Sequence, residues 1–170
     1  MAASVDISQV DGSALSSRFE ELATRSFSNA ADSTLDDWFS FPEMREQITA
    51  ERGLCLAAYV SGQLVGFVYA QQESPINARE GLEKWVIVLA AVDPAWAAQG
   101  VGTSLLSELE SLVAIRGGCK LFVYTNAEDD RVIRFYQRCG YSDAGWVRDY
   151  QYGTANSAVF LLKHLRVPNR

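Results

Sequence analysis

The stretch WVIVLAAVDPAWAAQGVGTSLLSELESLV, residues 85–113, decides how this chain is read. Its first eight residues, Trp85 to Val92, are apolar with no polar alternation, the pattern of a strand covered on both faces and therefore central in a sheet. Pro94 stops that strand. Beyond Gly100-Val101-Gly102 the residues Leu105, Leu106, Leu109, Leu112 and Val113 recur at helical spacing, up to a stop at Gly117-Gly118. A glycine pair opening a helix after a buried strand lets backbone approach a phosphate, while unpaired N–H groups and the helix dipole favour negative charge. Glycine pairs also occur in purely structural turns. A dinucleotide fingerprint needs a third glycine where this chain has Leu105, and no Gly-Lys-Ser/Thr follows, so both common nucleotide loops are disfavoured.

Working outward, residues 54–60 and 63–72 read as two antiparallel strands, with Ser61-Gly62 short enough for a tight hairpin between them. Before them, the Val5, Ile7, Gln9 alternation suggests a short strand, and Leu15, Phe19, Leu22 and Ser26 or Phe27 fall on one helical face. The acidic, aromatic stretch 35–50 reads as one or two short helices. After the central strand and its helix, residues 121–124 form another strand, followed by a helix striped with Val132, Ile133, Tyr136 and Cys139 and ending at Gly140. Two strand-helix units in succession make the fourth and fifth strands parallel neighbours. Final strands near 144–150 and 157–165 flank a turn at Gly153. The expected fold class is α/β in the mixed α+β sense: a mixed central sheet of about six to seven strands with helices on both faces.

Composition agrees with one compact domain over residues 1–170, with 48% hydrophobic content and no biased tract. A net charge of −6 disfavours nucleic acid and suits an amine-bearing partner. The first thirty residues lack a basic start followed by an apolar run, and Trp85 to Val92 is too short to span a bilayer, so no membrane partner and a cytoplasmic location are expected. Cys55, Cys119 and Cys139 have no Cys-x-x-Cys spacing and read as small core residues; with His164 the single histidine, no metal site is expected.

The residues Val92-x-Pro94 followed by Ala97-Ala98-Gln99-Gly100-Val101-Gly102-Thr103 resemble the cofactor-binding motif of the GNAT superfamily of N-acetyltransferases. Phe135-Tyr136-Gln137-Arg138-Cys139-Gly140-Tyr141 resembles the same family's second signature, in the right order and separation. The resemblance implies acetyl-CoA as co-substrate, its pyrophosphate held by backbone N–H groups of the turn Ala97, Ala98, Gln99, Gly100, Val101, Gly102 and Thr103. It also implies that Ala90, Ala91 and Val92 pair with the pantetheine arm and stabilise the oxyanion. Two positions depart from the family pattern: Ala97 replaces its usual Arg or Gln, and Asp129 stands where an Asn often starts the last helix. Asn126, three residues earlier, is the better candidate for a cofactor or water contact, and either residue can cap the helix.

Acetyl transfer needs a neutral amine, and deprotonating a lysine-like amine of pKa about 10.4 at pH 7 costs about 4.6 kcal/mol, so a base or water path is expected. Some family members place a glutamate on the fourth strand for this. Here the matching stretch near Val86 has no carboxylate, which leaves Glu83, at the strand's start, beside a water-mediated route. Tyr136 lies on an apolar helical stripe, as a core aromatic would; the resemblance makes it the general acid toward the leaving thiolate. A cysteine nucleophile is disfavoured. Asp36, Asp37 and Glu43 beside Trp38, Phe39 and Phe41 either hold a cationic amine against aromatic faces or are surface acids over a core cluster. The acceptor is an amine-bearing small molecule or peptide, and the resemblance allows a homodimer. A non-catalytic acyl-CoA sensor on the same fold is the alternative.

Overall fold

The computed structural model describes residues 4–27, 35–73, 83–150 and 156–166. Seven strands, β1 (Asp6–Gln9), β2 (Gly53–Val60), β3 (Gln63–Gln72), β4 (Lys84–Val92), β5 (Lys120–Asn126), β6 (Ser142–Val147) and β7 (Ala158–His164), form one sheet in the order β1-β2-β3-β4-β5-β7-β6. The described α-helices are α1 (Ser17–Ser26), α2 (Phe41–Thr49), α3 (Val101–Ile115) and α4 (Asp130–Arg138). The chain is built of two compact units, Met1–Gln71 with Val88–Ser111, and Gln72–Ile87 with Leu112–Arg170. β4 and α3 each begin in one unit and end in the other.

In the first unit β1, β2 and β3 pair antiparallel. Ser61 (φ 50°) and Gly62 (φ 79°) both sit in the left-handed region, as a two-residue hairpin turn that matches strand twist requires. Phe19, Leu22 and Ala23 of α1 and Phe41 and Met44 of α2 pack with Cys55, Ala57, Phe67 and Tyr69, the odd-numbered face of β2 and β3. Each large side chain so buried contributes about 1.5–3 kcal/mol. The stretch 35–50 resolves into a 3-10 turn, Leu35–Asp37, and α2, whose first turn is capped by Ser40 Oγ accepting the Glu43 N–H at 3.3 Å. On the even face, a Cβ on Gly66 would come within 3.1 Å of Val101 Cγ1 and Ala91 O, so this glycine lets α3 approach the sheet closely.

In the second unit β4 and β5 run parallel, from Lys84↔Lys120 to Ile87↔Val123, as expected. β7 then lies antiparallel between β5 and β6, leaving β6 at the sheet edge. Gly117 (φ 88°) ends α3, and the Gly118 N–H donates to Val113 O at 2.9 Å. Gly140 (φ 90°) ends α4 in the same manner, with the Tyr141 N–H donating to Tyr136 O at 3.1 Å.

Two expectations are corrected. Trp85, Ile87, Leu89 and Ala91 of β4 are buried, but Val86, Val88, Ala90 and Val92 on the alternate face are only half-buried, so the strand is not sealed on both faces. A run of small and branched apolar residues does not reveal this, because valine and alanine suit half-covered faces as well. The sixth strand runs Ser142–Val147 rather than 144–150, since its ladder spans Ser142↔Leu162 to Val147↔Ala158 around an irregularity between Asp143 and Gly145. The turn at Gly153 and the loop residues 74–80 lie outside the described residues.

Candidate active site

The strand-turn-helix read from the sequence is present in the first unit. β4 ends at Val92, Pro94–Trp96 form a 3-10 turn, and α3 begins at Val101. Asp93 Oδ1 accepts the Ala95 N–H at 3.0 Å, and Gln99 Nε2 donates to Ala95 O at 3.0 Å. Ala98 (φ 59°) and Gly100 (φ 86°) are both left-handed; for an alanine this costs about 1–2 kcal/mol. Among the described residues nothing lies within 4 Å of a Cβ placed on Gly100, so its glycine answers to backbone conformation, and the space beside it is open. The first intrahelical bond, Ser104 N–H to Gly100 O at 3.0 Å, leaves the Val101, Gly102 and Thr103 N–H groups without intrahelical acceptors at the positive end of the helix dipole. Ala97, Ala98, Gln99 and Gly100 are exposed. A ligand with clustered phosphate oxygens fits these donors and this open approach. Ala90 is half-buried, Ala91 is buried, and the Val92 carbonyl lies 3.0 Å from Ser26 Oγ.

Glu83, Asn126 and Tyr136 belong to the second unit. Tyr136 is 4% exposed and packs edge-on against Phe135 and Tyr141, with ring centroids at 5.2 and 5.4 Å. Burial pushes its phenol well above the ordinary 10.0, and the Cys139 thiol adds in the same direction. Asp129 caps α4, its Oδ1 accepting the Val132 N–H at 3.1 Å, while Asn126 Oδ1 accepts the Glu128 N–H at 3.0 Å. The capping role open between them falls to Asp129, and Asn126 retains its amide donors. Glu83 immediately precedes β4; its carbonyl accepts the Cys119 N–H at 2.8 Å and its Oε2 lies 3.9 Å from Cys119 Sγ.

Cys55 is buried and its thiol is pushed up by burial, which suits an inert core residue. Phe39 and Phe41 belong to the core cluster; of that aromatic stretch Trp38 is the exposed member, at 45%. Sequence reasoning passed over Asp93, whose place before a proline at a turn start is a capping signature. It also passed over Arg25, which reaches Asp93 from 68 residues away and leaves no local signal.

The sequence matches the model of the acetyltransferase (GNAT) family over residues 17–141. The chain belongs to the GNAT family. It is 34% identical over 102 residues to a mycothiol acetyltransferase of Clavibacter michiganensis subsp. michiganensis, a match that covers 60% of this chain and 30% of that protein. Among solved structures, the ribosomal-protein-S18-alanine N-acetyltransferase of Escherichia coli superposes with a TM-score of 0.75 at 20% identity, covering 98% of this chain and 97% of the other. An aminoglycoside 6'-N-acetyltransferase complexed with coenzyme A superposes with a TM-score of 0.74 at 20% identity, covering 96% and 99%. These likenesses establish the mixed α/β GNAT fold. Among the described residues no helix is long and apolar enough to cross a membrane.

Proposed function

We propose that this GNAT chain, acting as one catalytic domain, transfers the acetyl group of acetyl-CoA to a primary amine of a small molecule or peptide by direct attack in a ternary complex. The observation that carries this is the turn from Ala97 to Thr103, with its left-handed Ala98 and Gly100, open approach and helix-start donors. Val101, Gly102 and Thr103 hold the pyrophosphate through their N–H groups. Support for the pantetheine arm comes from β4: its parallel ladder ends at Ile87 while the strand runs on to Val92, so the edge at Ala90, Ala91 and Val92 supplies strand backbone. An oxyanion needs hydrogen-bond donors, so at this edge the backbone N–H groups are what would stabilise it.

Tyr136 protonates the departing thiolate, a role that rests on its place in the Phe135-Tyr136 motif; burial raises its phenol pKa and so works against proton donation. Glu83 precedes β4 and the strand near Val86 carries no carboxylate, so a water path, with Glu83 as the other candidate, carries the amine proton away. A net charge of −6 favours a cationic acceptor. Relatives named for mycothiol, an S18 alanine and an aminoglycoside support an amine-bearing acceptor, either a small molecule or a peptide.

Calorimetric titration with acetyl-CoA, run beside a Gly100→Trp variant, tests the reading, followed by release of CoA thiol against an amine panel. Wild-type binding that the variant loses is the expected outcome. Equal affinities, or no binding by either, would sink it. Binding without turnover against any amine would instead favour an acyl-CoA sensor.

A further inference from the structure

The last turn of α1 grips the junction between β4 and the pyrophosphate turn, all within the first unit. Arg25 Nη2 donates to Asp93 Oδ2 at 3.1 Å. The other oxygen of that carboxylate accepts the Ala95 N–H at 3.0 Å, while the Asp93 N–H donates to Val65 O at 2.9 Å and its carbonyl accepts the Trp96 N–H at 2.8 Å. Ala95 O in turn receives Gln99 Nε2 at 3.0 Å, one residue before Gly100. Beside this, the Ser26 hydroxyl is shared between Val92 O at 3.0 Å and Leu22 O at 2.8 Å. A continuous set of hydrogen bonds therefore runs from α1 through Asp93 and Ala95 to the turn.

The physical need for such a clamp is visible in the backbone. Ala98 and Gly100 are both left-handed, and a strained loop persists only where its surroundings over-determine it. The Asp93 side chain is 14% exposed and that of Arg25 53%, so the ion pair is partly open to solvent and adds little to global stability. Its effect is on where the turn's N–H groups point.

We propose that Arg25, Ser26 and Asp93 are positioning residues for the acyl-CoA, acting through the backbone of the turn without touching the cofactor. This rests on the turn being the pyrophosphate site, as argued above. Loosening the clamp lets the first-turn donors of α3 drift from a shared focus, which costs affinity for the phosphates rather than the chemical step.

The test is acetyl-CoA titration of wild type, Arg25→Met, Arg25→Lys, Ser26→Ala, Asp93→Asn and Asp93→Ala, each checked for folding by circular dichroism at the assay temperature. Kd should rise roughly threefold in Arg25→Met and roughly tenfold in Asp93→Ala, with Arg25→Lys recovering part of the loss. KM for acetyl-CoA should follow Kd, with kcat moving less than either. The Arg25→Met effect should shrink in high salt while the Asp93→Ala effect persists, a split that general destabilisation would not produce. If Asp93→Ala fails to fold, Asp93→Asn, which keeps the acceptor for Ala95 but loses the charge, decides the matter. Wild-type binding with unchanged Kd in the folded variants overturns the proposal and leaves the turn reading intact. Absence of binding by wild type overturns both.

Discussion

Two demands meet at Tyr136 if the proposed mechanism holds. It is buried against Phe135 and Tyr141, so it packs as a core aromatic, and its phenol is the donor we propose for the leaving thiolate. Tyr136→Phe should lower kcat well below wild type while the acetyl-CoA Kd stays similar, because the ring is retained and the proton is lost; unchanged turnover in steady-state assays would remove Tyr136 from the mechanism. A second prediction follows from the groups that burial keeps neutral. The Cys55 thiol lies above its ordinary 9.0 and the Tyr69 and Tyr136 phenols above 10.0. Above those ordinary values the unfolded chain releases protons that the folded chain retains, so their contribution is full below pH 9 and is lost as pH rises. Thermal melts should give a Tm falling from about pH 9 upward, and Cys55→Ala, though less stable overall, should show a shallower fall between about pH 9 and 10. The residue types that carry the turn were legible in the sequence. The engagement of Asp93 by Arg25 was not, because nothing local marks a contact made across 68 positions.

At the scale of elements, the legible parts are those whose cause is local. The Ser61-Gly62 hairpin, the start of α3 and the glycine stops of α3 and α4 follow from the backbone freedom of a few residues, and all are found where the sequence put them. The half-open face of β4 was not legible, since valine and alanine fill covered and half-covered positions alike. Gly66 joins element to site: a side chain there meets Ala91 O and Val101 Cγ1, at the first turn of α3. Gly66→Val should destabilise by about 1–3 kcal/mol in denaturant melts and weaken acetyl-CoA binding together, whereas a loss of stability alone would separate α3 packing from the turn. Removing the α4 cap in Asp129→Ala should cost about 1 kcal/mol in the same melts, with Asn126→Ala costing less, because Asp129 serves the helix and Asn126 only the turn before it.

For the whole molecule, charge is the property that acts at a distance. With a net charge of −6 the chain repels a polyanionic co-substrate and attracts a cationic acceptor, and salt screens both over about 10 Å at 0.1 M. Stopped-flow association of acetyl-CoA should therefore quicken as salt rises, while KM for a cationic amine should increase; an amine KM that does not change with salt would point to an uncharged acceptor. By itself the sequence determined the mixed α/β class and the turn, which depend on periodicity, glycine conformation and helix-start donors that neighbouring residues settle among themselves; two successive strand-helix units made β4 and β5 parallel, and the two motifs carried the family. Only the tertiary structure decided that β7 lies between β5 and β6, that one face of β4 stays half-open, and that α1 holds Asp93. Those features depend on which distant segments meet where no connecting unit dictates it: side-chain contacts at long separation and the place of β7 are set by packing the whole sheet, with no mark in the local order of residues.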